Sequence, residues 1–374
     1  MPSRIVGLVT AVLAAAAAGS LSGQAPAGGR TRIEVAGHAL QVPQGFAVDV
    51  YAAGVTDARF MVLGPDGVPY VSLTGEGLVV KLPDQNGDGR ADSVVIVARG
   101  LNRPHGLAFR GDTLYVAETN RVVRFVPGAA TPQVVVPDLP HGGGHFTRTI
   151  VFGPRDGKLY VSVGSSCNIC SERDARRAAV LRFNADGSGG EIFAHGLRNS
   201  VGLAFDPATN ELWGTNNDRD MLGDDVPPDR INILHQGGNY GWPECYLPGQ
   251  PNPEYPGADC GHLAAPAITF QAHSAPLGVT FSTGTQFPAE YRGGAFVCYH
   301  GSWNRSVPTG YKVVYVRQDG GRPAAIADFI TGFLPDGGTV WGRPVDVLVA
   351  KDGSLLVSDD FGGRVFRVHY AAAR

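Results

Sequence analysis

IVFGPRDGKLYVSVG at residues 150–164 and GLAFDPATNELWGTN at 202–216 follow one plan: an alternating apolar run, a turn of Gly, Pro, Asp or Asn, and a second β-rich run. Period-2 alternation broken by turn residues predicts antiparallel strands in a meander. The plan recurs in FMVLGPDGVPYVSL from Phe60, GLAFRGDTLYVAE from Gly106, GVTFSTGTQFPAEYRGGAFVCYHG from Gly278 and PVDVLVAKDGSLLVSDD from Pro344. Each copy is followed by a third strand: GLVVKL, RVVRFV, AVLRFN, RINILH, KVVYVR and GRVFRV. One such sheet cannot bury both of its faces, so the copies must pack on one another around an axis. Six copies spaced by roughly 40–75 residues match radial blades and not a solenoid of short coils. The predicted fold is all-β, a six-bladed β-propeller of four-stranded antiparallel blades, occupying residues 28–374 as one domain. The strand FAVDVY, Phe46–Tyr51, is expected to close the ring by joining the last blade.

Composition agrees. Gly (52) and Pro (27) are abundant while charged residues make up 17% of the 374, a profile of many tight turns and short strands. The net charge of -3 and the lack of a dense Lys/Arg tract give no reason to expect nucleic acid. Residues 1–27 read as an export signal with a short linker: Arg4, then the uncharged run IVGLVTAVLAAAAA, with cleavage expected within Ala18–Ala27. That run is short for a membrane span, so no stable membrane insertion is expected after cleavage and the protein is read as periplasmic or secreted. Export permits disulfides. Of five cysteines, Cys167 and Cys170 lie in CNIC and are expected to staple a loop, and Cys245 and Cys260, which bracket a Pro-rich loop, are read as a second pair. Cys298, in an apolar strand, reads as a buried thiol. Ser171 after CNIC excludes a c-type haem attachment, and no further ligands nearby complete a zinc site.

In a propeller, the loop entering the innermost strand of each blade lies at one mouth of the central channel. Aligning the copies places TDARF (56–60), RPHG (103–106), HFTRT (145–149), RNSVG (198–202), HSAPLG (273–278) and GRPVD (342–346) there. His recurs in three of these and Arg in most, in a chain with only 10 His. A single buried His more often satisfies backbone groups than does chemistry. Repeated convergence of His and Arg at a channel mouth points instead to a planar anionic ligand and a proton acceptor.

HGLRNSVGLAFDP, NNDRDMLGDDVPPDRINIL and GGNYGWPE resemble the central signature of the soluble glucose/sorbosone dehydrogenases that use pyrroloquinoline quinone, nearer to their sorbosone or broad aldose branch. The similarity runs from about Phe46 to Val368 and is strongest over His145–Pro243. It implies pyrroloquinoline quinone and Ca²⁺ as cofactors, an aldose or aldehyde sugar as substrate, and a separate electron acceptor. Oxidising an alcohol by hydride transfer needs a base for the hydroxyl proton and an acceptor for the hydride. In the resemblance His145 matches the base, Arg198 and Asn199 the pair on the cofactor and the reacting oxygens, and the backbone carbonyls of Asn217 and Asp218 the calcium turn, with Asp229 buttressing it. Arg343 matches one of two arginines before the last blade, and the second falls on Val345. The cofactor lysine has no secure counterpart, which leaves Arg305 or Lys312 as candidates. His105 falls where an amide is usual, and His273 adds a polar group.

Independently of the resemblance, DQNGDGRAD places Asp84, Asn86 and Asp88 at positions 1, 3 and 5 of an EF-type loop, with Asp92 at position 9. Position 12 is Val95 instead of Glu, so this is a candidate structural calcium loop or a hydrated polar turn. Two other functions fit a propeller: a calcium-dependent lactonase or esterase, which would need carboxylates and Asn around an axial metal, and a non-catalytic binding module. No GxGxxG follows a strand, which disfavours a nicotinamide enzyme.

Overall fold

A computed structural model describes residues 29–371, so the expected export signal and its cleavage stretch lie outside the described residues. Six four-stranded antiparallel sheets follow one another along the chain. Their innermost strands are Ala58–Leu63, Leu107–Arg110, Ile150–Phe152, Leu203–Phe205, Pro276–Phe281 and Pro344–Val349, in blades 1 to 6. The fourth strand of blade 6 is Phe46–Ala53, paired antiparallel with Arg364–Tyr370, so the N-terminal segment closes the ring as the sequence predicts. Among the described residues the only helical element is a 3₁₀ turn at Ala289–Tyr291, and no helix is long and apolar enough to cross a membrane.

Each second strand is buried nearly throughout, as in Leu159–Val163, Ala295–Tyr299 and Leu355–Asp359, because both of its faces meet neighbouring blades. The closing strand is held by Phe46, whose ring lies 4.9 Å from Phe287, 5.1 Å from Tyr291, 5.0 Å from Phe329 and 5.1 Å from Tyr370, all edge-on.

Near the axis the inner strands approach too closely for side chains. A Cβ on Gly202 would sit 2.2 Å from Leu277 O, and one on Gly278 would sit 2.0 Å from Asp346 Oδ1. Buried hydroxyls on second strands tie one blade to the next: Ser72 donates to His105 O, Thr215 to Leu277 O and Ser358 to Arg59 O. These bonds end on the blade entries, so the scaffold fixes the loops that form the mouth. Just below them, Phe60, Val201, Leu277 and Val345 pack as an apolar floor across the channel.

Three additions lie outside the repeat. Arg30–Val35 and His38–Pro43 form a hairpin that bridges to Thr331 behind blade 5. Gly238–Asn239 adds parallel to the outer strand Glu191–His195 of blade 3. Cys245–Leu247 and Gln250–Pro251 make a short hairpin closed by the Cys245–Cys260 disulfide.

Candidate active site

Two sets of loops meet at one mouth. A first strand starts beside the end of its antiparallel second strand, as Pro276 opposite Tyr299 and Pro344 opposite Asp359 show. The entry loops therefore share their end of the channel with the loops from second to third strand. The latter carry Asn168, the turn at 217–220, the run from His300 to Asn304, and Asp360.

His145 enters blade 3. Its Nδ1 lies 3.0 Å from both Ser165 O and Ser165 Oγ, and that hydroxyl spends its own proton on Cys167 O at 2.7 Å. Both neighbours of Nδ1 are thus acceptors, which fixes the Nδ1–H tautomer and leaves the Nε2 lone pair free. Burial, and then the charges of Arg198, Arg148 and Arg177, push the imidazole down to about 3, so it is neutral. Gly164 makes the approach possible: a Cβ there would lie 2.6 Å from both His145 Cβ and Asn199 Oδ1. Asn199 is buried and its Oδ1 has no hydrogen-bond partner.

Arg198, beside it, is buried against the turn of blade 4. Its Nη1 donates to Asp218 O at 2.6 Å and lies 3.4 Å from Asn217 O, while Nη2 meets Asp220 Oδ2 at 2.8 Å. Asp229 does buttress the turn: one carboxylate oxygen accepts Asp218 N–H (3.0 Å) and the other Ala275 N–H (2.9 Å). Burial raises the Asp229 carboxyl to about 7.

A second polar group faces the same mouth and was not singled out in the sequence. Asp360 pairs with Arg59 at 2.7 Å and with His300 Nε2 at 2.9 Å. Burial alone would raise its pKa, but His300 and Arg59 hold it below the usual carboxylate range. Arg343 donates to the carbonyls of His300 and Gly301 and so joins this group. Phe146, next to His145, lies under Arg103, whose guanidinium carbon is 3.5 Å from the ring centroid.

The other expected residues are placed as follows. His105 lies 0% exposed beneath the mouth, its ring 4.3 Å from Phe60 and its Nε2 without a partner, so it belongs to the channel lining. His273 donates from Nε2 to Gly223 O (2.9 Å) and faces Asn304 and Asp220 through Nδ1. Arg305 pairs with Asp225 and the carbonyl of Asp224. Lys312 pairs with Asp328 on the outer strand of blade 5 at 2.6 Å. Neither hydrogen-bonds to the group around His145 and Arg198. The loop from Asp84 to Asp92 lies between a third and a fourth strand, at the opposite end of the blade. Its side-chain oxygens accept its own backbone amides: Asp84 those of Gly87 and Gly89, Asn86 that of Asp88, Asp88 that of Arg90, and Asp92 that of Gln85. Both expected disulfides are present, and Cys298 is a buried free thiol.

The mouth suits an anionic, planar ligand. Arg103 and Arg343 have no carboxylate partner among the described residues and meet only carbonyls or a ring. The carbonyls of Asn217 and Asp218 already face one cation, the guanidinium of Arg198, and two hard oxygens on one positive charge is donor chemistry that Ca²⁺ takes.

The sequence model of the TrAA12-like family matches residues 40–252 and 247–371. An uncharacterised protein of Borreliella burgdorferi is 31% identical over 352 residues, which cover 88% of this chain and 91% of that protein. A pyrroloquinoline quinone-dependent pyranose dehydrogenase of Coprinopsis cinerea is 26% identical over 405 residues, covering 87% of this chain and 54% of that protein. The chain thus spans about half the length of that relative. The iodide structure of a Trichoderma reesei carbohydrate-active enzyme of family AA12 has the same fold, with a TM-score of 0.78 and 24% identity over 91% of this chain and all of that one.

Proposed function

The chain belongs to the TrAA12-like family, and from that membership and the chemistry of the mouth we propose that it is a sugar dehydrogenase that uses pyrroloquinoline quinone and Ca²⁺. Its substrate is an aldose or a related aldehyde sugar of sorbosone type, and its electrons pass to a separate acceptor. This reading takes the protein to be periplasmic or secreted. The same quinone appears in the name of the Coprinopsis cinerea relative.

The observation that carries the reading is the state of His145: neutral, held through Nδ1–H, its Nε2 open beside Arg198 and the unpartnered Asn199 Oδ1. An imidazole so held can take the proton of a sugar hydroxyl at Nε2 as the C–H hydride departs. When bound, the quinone supplies the hydride acceptor and Ca²⁺ the Lewis acid that polarises it. Arg198 and Asn199 orient the reacting oxygens. The carbonyls of Asn217 and Asp218 would hold the metal, beside the Arg198 guanidinium they face. Arg343 and Arg103 draw the ligand's carboxylates, and the apolar floor of Phe60, Val201, Leu277 and Val345 keeps water from below.

The test is turnover on a panel of aldoses and aldehyde sugars with an artificial electron acceptor, using protein incubated with pyrroloquinoline quinone and Ca²⁺. Turnover that depends on added quinone is expected. A panel with no turnover above the quinone-free control contradicts the proposal.

A further inference from the structure

We infer that the loop closed by the Cys167–Cys170 disulfide is the positioning device of this site, with Asn168 setting Arg198 and the turn at 217–220, and Cys167 setting the tautomer of His145. The inference rests on the roles proposed above for His145 and Arg198.

Asn168 is one of two residues enclosed by the disulfide, and all of its side-chain polar atoms and its carbonyl are engaged. Its carbonyl accepts from Arg198 Nε (3.0 Å) and from Trp242 Nε1 (3.1 Å). Its Oδ1 accepts from Arg198 Nη2 (3.0 Å) and from Asp220 N (2.8 Å), while Nδ2 donates to Asp220 O (3.1 Å). Arg198 is therefore gripped along its Nε–Nη2 edge by two oxygens of one asparagine, and the same side chain fixes both the N–H and the carbonyl of Asp220. At the other end of the loop the carbonyl of Cys167 accepts the Ser165 hydroxyl, which turns that oxygen's lone pairs toward His145 Nδ1–H. The base and the arginine thus share one four-residue ring as support.

Closure entropy grows with the number of residues enclosed, so a disulfide with a sequence separation of 3 adds little to global stability. What it does is local. Without the S–S bond, a short half-buried connection would have to hold several hydrogen bonds against the freedom of its own backbone. Trp242 extends the arrangement. The segment Gly238–Asn239 climbs the outer edge of blade 3, and the chain then delivers the Trp242 indole to the carbonyl of Asn168.

The experiment compares wild type, C167S/C170S and N168A. Two readouts are taken on apo protein: the Kd for pyrroloquinoline quinone in the presence of Ca²⁺, from quenching of protein fluorescence, and the ¹⁵N signals of the His145 imidazole. Both C167S/C170S and N168A are expected to weaken quinone binding by about 10-fold or more, the loss of one hydrogen bond to a charged group. C167S/C170S should also lose the pure Nδ1–H pattern of His145, whereas N168A should keep it, a split that general loosening would not produce. A C167S/C170S protein with wild-type Kd and wild-type His145 signals overturns the inference. If wild type itself binds no quinone, the proposed function fails, while the His145 signals of C167S/C170S still decide the role of the loop. N168A leaves the disulfide intact, so a wild-type Kd in N168A counts against the inference even if the double variant does not fold.

Discussion

His145 and the two other mouth histidines differ in what their ring nitrogens touch, and that difference sets their expected behaviour. His145 keeps Nε2 free, His273 has both nitrogens engaged, and His105 is wholly buried against Phe60. Removing a general base costs about 10² to 10⁴ in rate. His145→Ala is therefore expected to lower kcat by at least about 10² while quinone stays bound, as steady-state kinetics on the reconstituted protein will read. His273→Ala should act mainly on KM, and His105→Ala on thermal stability. The pH dependence follows from the same surroundings. Burial, Arg198, Arg148 and Arg177 hold the folded His145 at about 3, below its ordinary 6.5. Its contribution to stability is thus complete above about 6.5 and is lost as pH falls toward 3. In an NMR titration of apo protein, His145 should stay neutral from about pH 8 down to about pH 5, and an inflection near 6.5 would contradict its placement. His145, Arg198 and Asn199 were legible because the entry loops align from blade to blade. Arg59 lay in an aligned entry, but its partners His300 and Asp360, like Asn168, come from loops between second and third strands. Those loops differ in length and sequence, so nothing in the repeat announces them.

At the scale of the element, the repeated strand–turn–strand plan was readable because every blade repeats a β-rich run, a turn of Gly, Pro, Asp or Asn that reverses the chain, and a second β-rich run. The closing strand was readable as one β run without a blade of its own. Its anchor is Phe46, 4% exposed among four aromatic rings. Phe46→Ala should destabilise the protein by about 3–5 kcal/mol in denaturant unfolding. A loss under 1 kcal/mol would mean that the strand does not hold the ring closed. The Cys245–Cys260 disulfide spans a sequence separation of 15, a loop for which closure entropy gives about 3 kcal/mol. C245S/C260S should therefore unfold at lower denaturant than C167S/C170S, even though the second pair lies nearer the site. The hairpin at residues 30–43 and the parallel addition of Gly238–Asn239 were not legible, since a two-residue strand and a packed outer hairpin leave no periodicity to read. GGNYGWPE was visible only as a family signature. Its physical task, bringing Trp242 to Asn168, needed the fold.

For the whole molecule, the net charge of -3 conceals a mouth where Arg59, Arg103, Arg198 and Arg343 gather around Asp220 and Asp360. Arg103 and Arg343 face it without carboxylate partners, and Arg198 stands against two carbonyls and Asp220. Two guanidiniums without carboxylate partners at one mouth are groups that an anionic ligand would complete. The blades supply rigidity, the paired loops supply the groups, and the apolar floor closes the channel beneath them. The measurement that tests this most directly is sugar oxidation by protein first stripped with excess chelator, then supplied with Ca²⁺ alone, quinone alone, or both. The account predicts that chelation abolishes turnover and releases quinone, and that only the two together restore it. Full turnover in excess chelator, with metal analysis finding none bound, would contradict it.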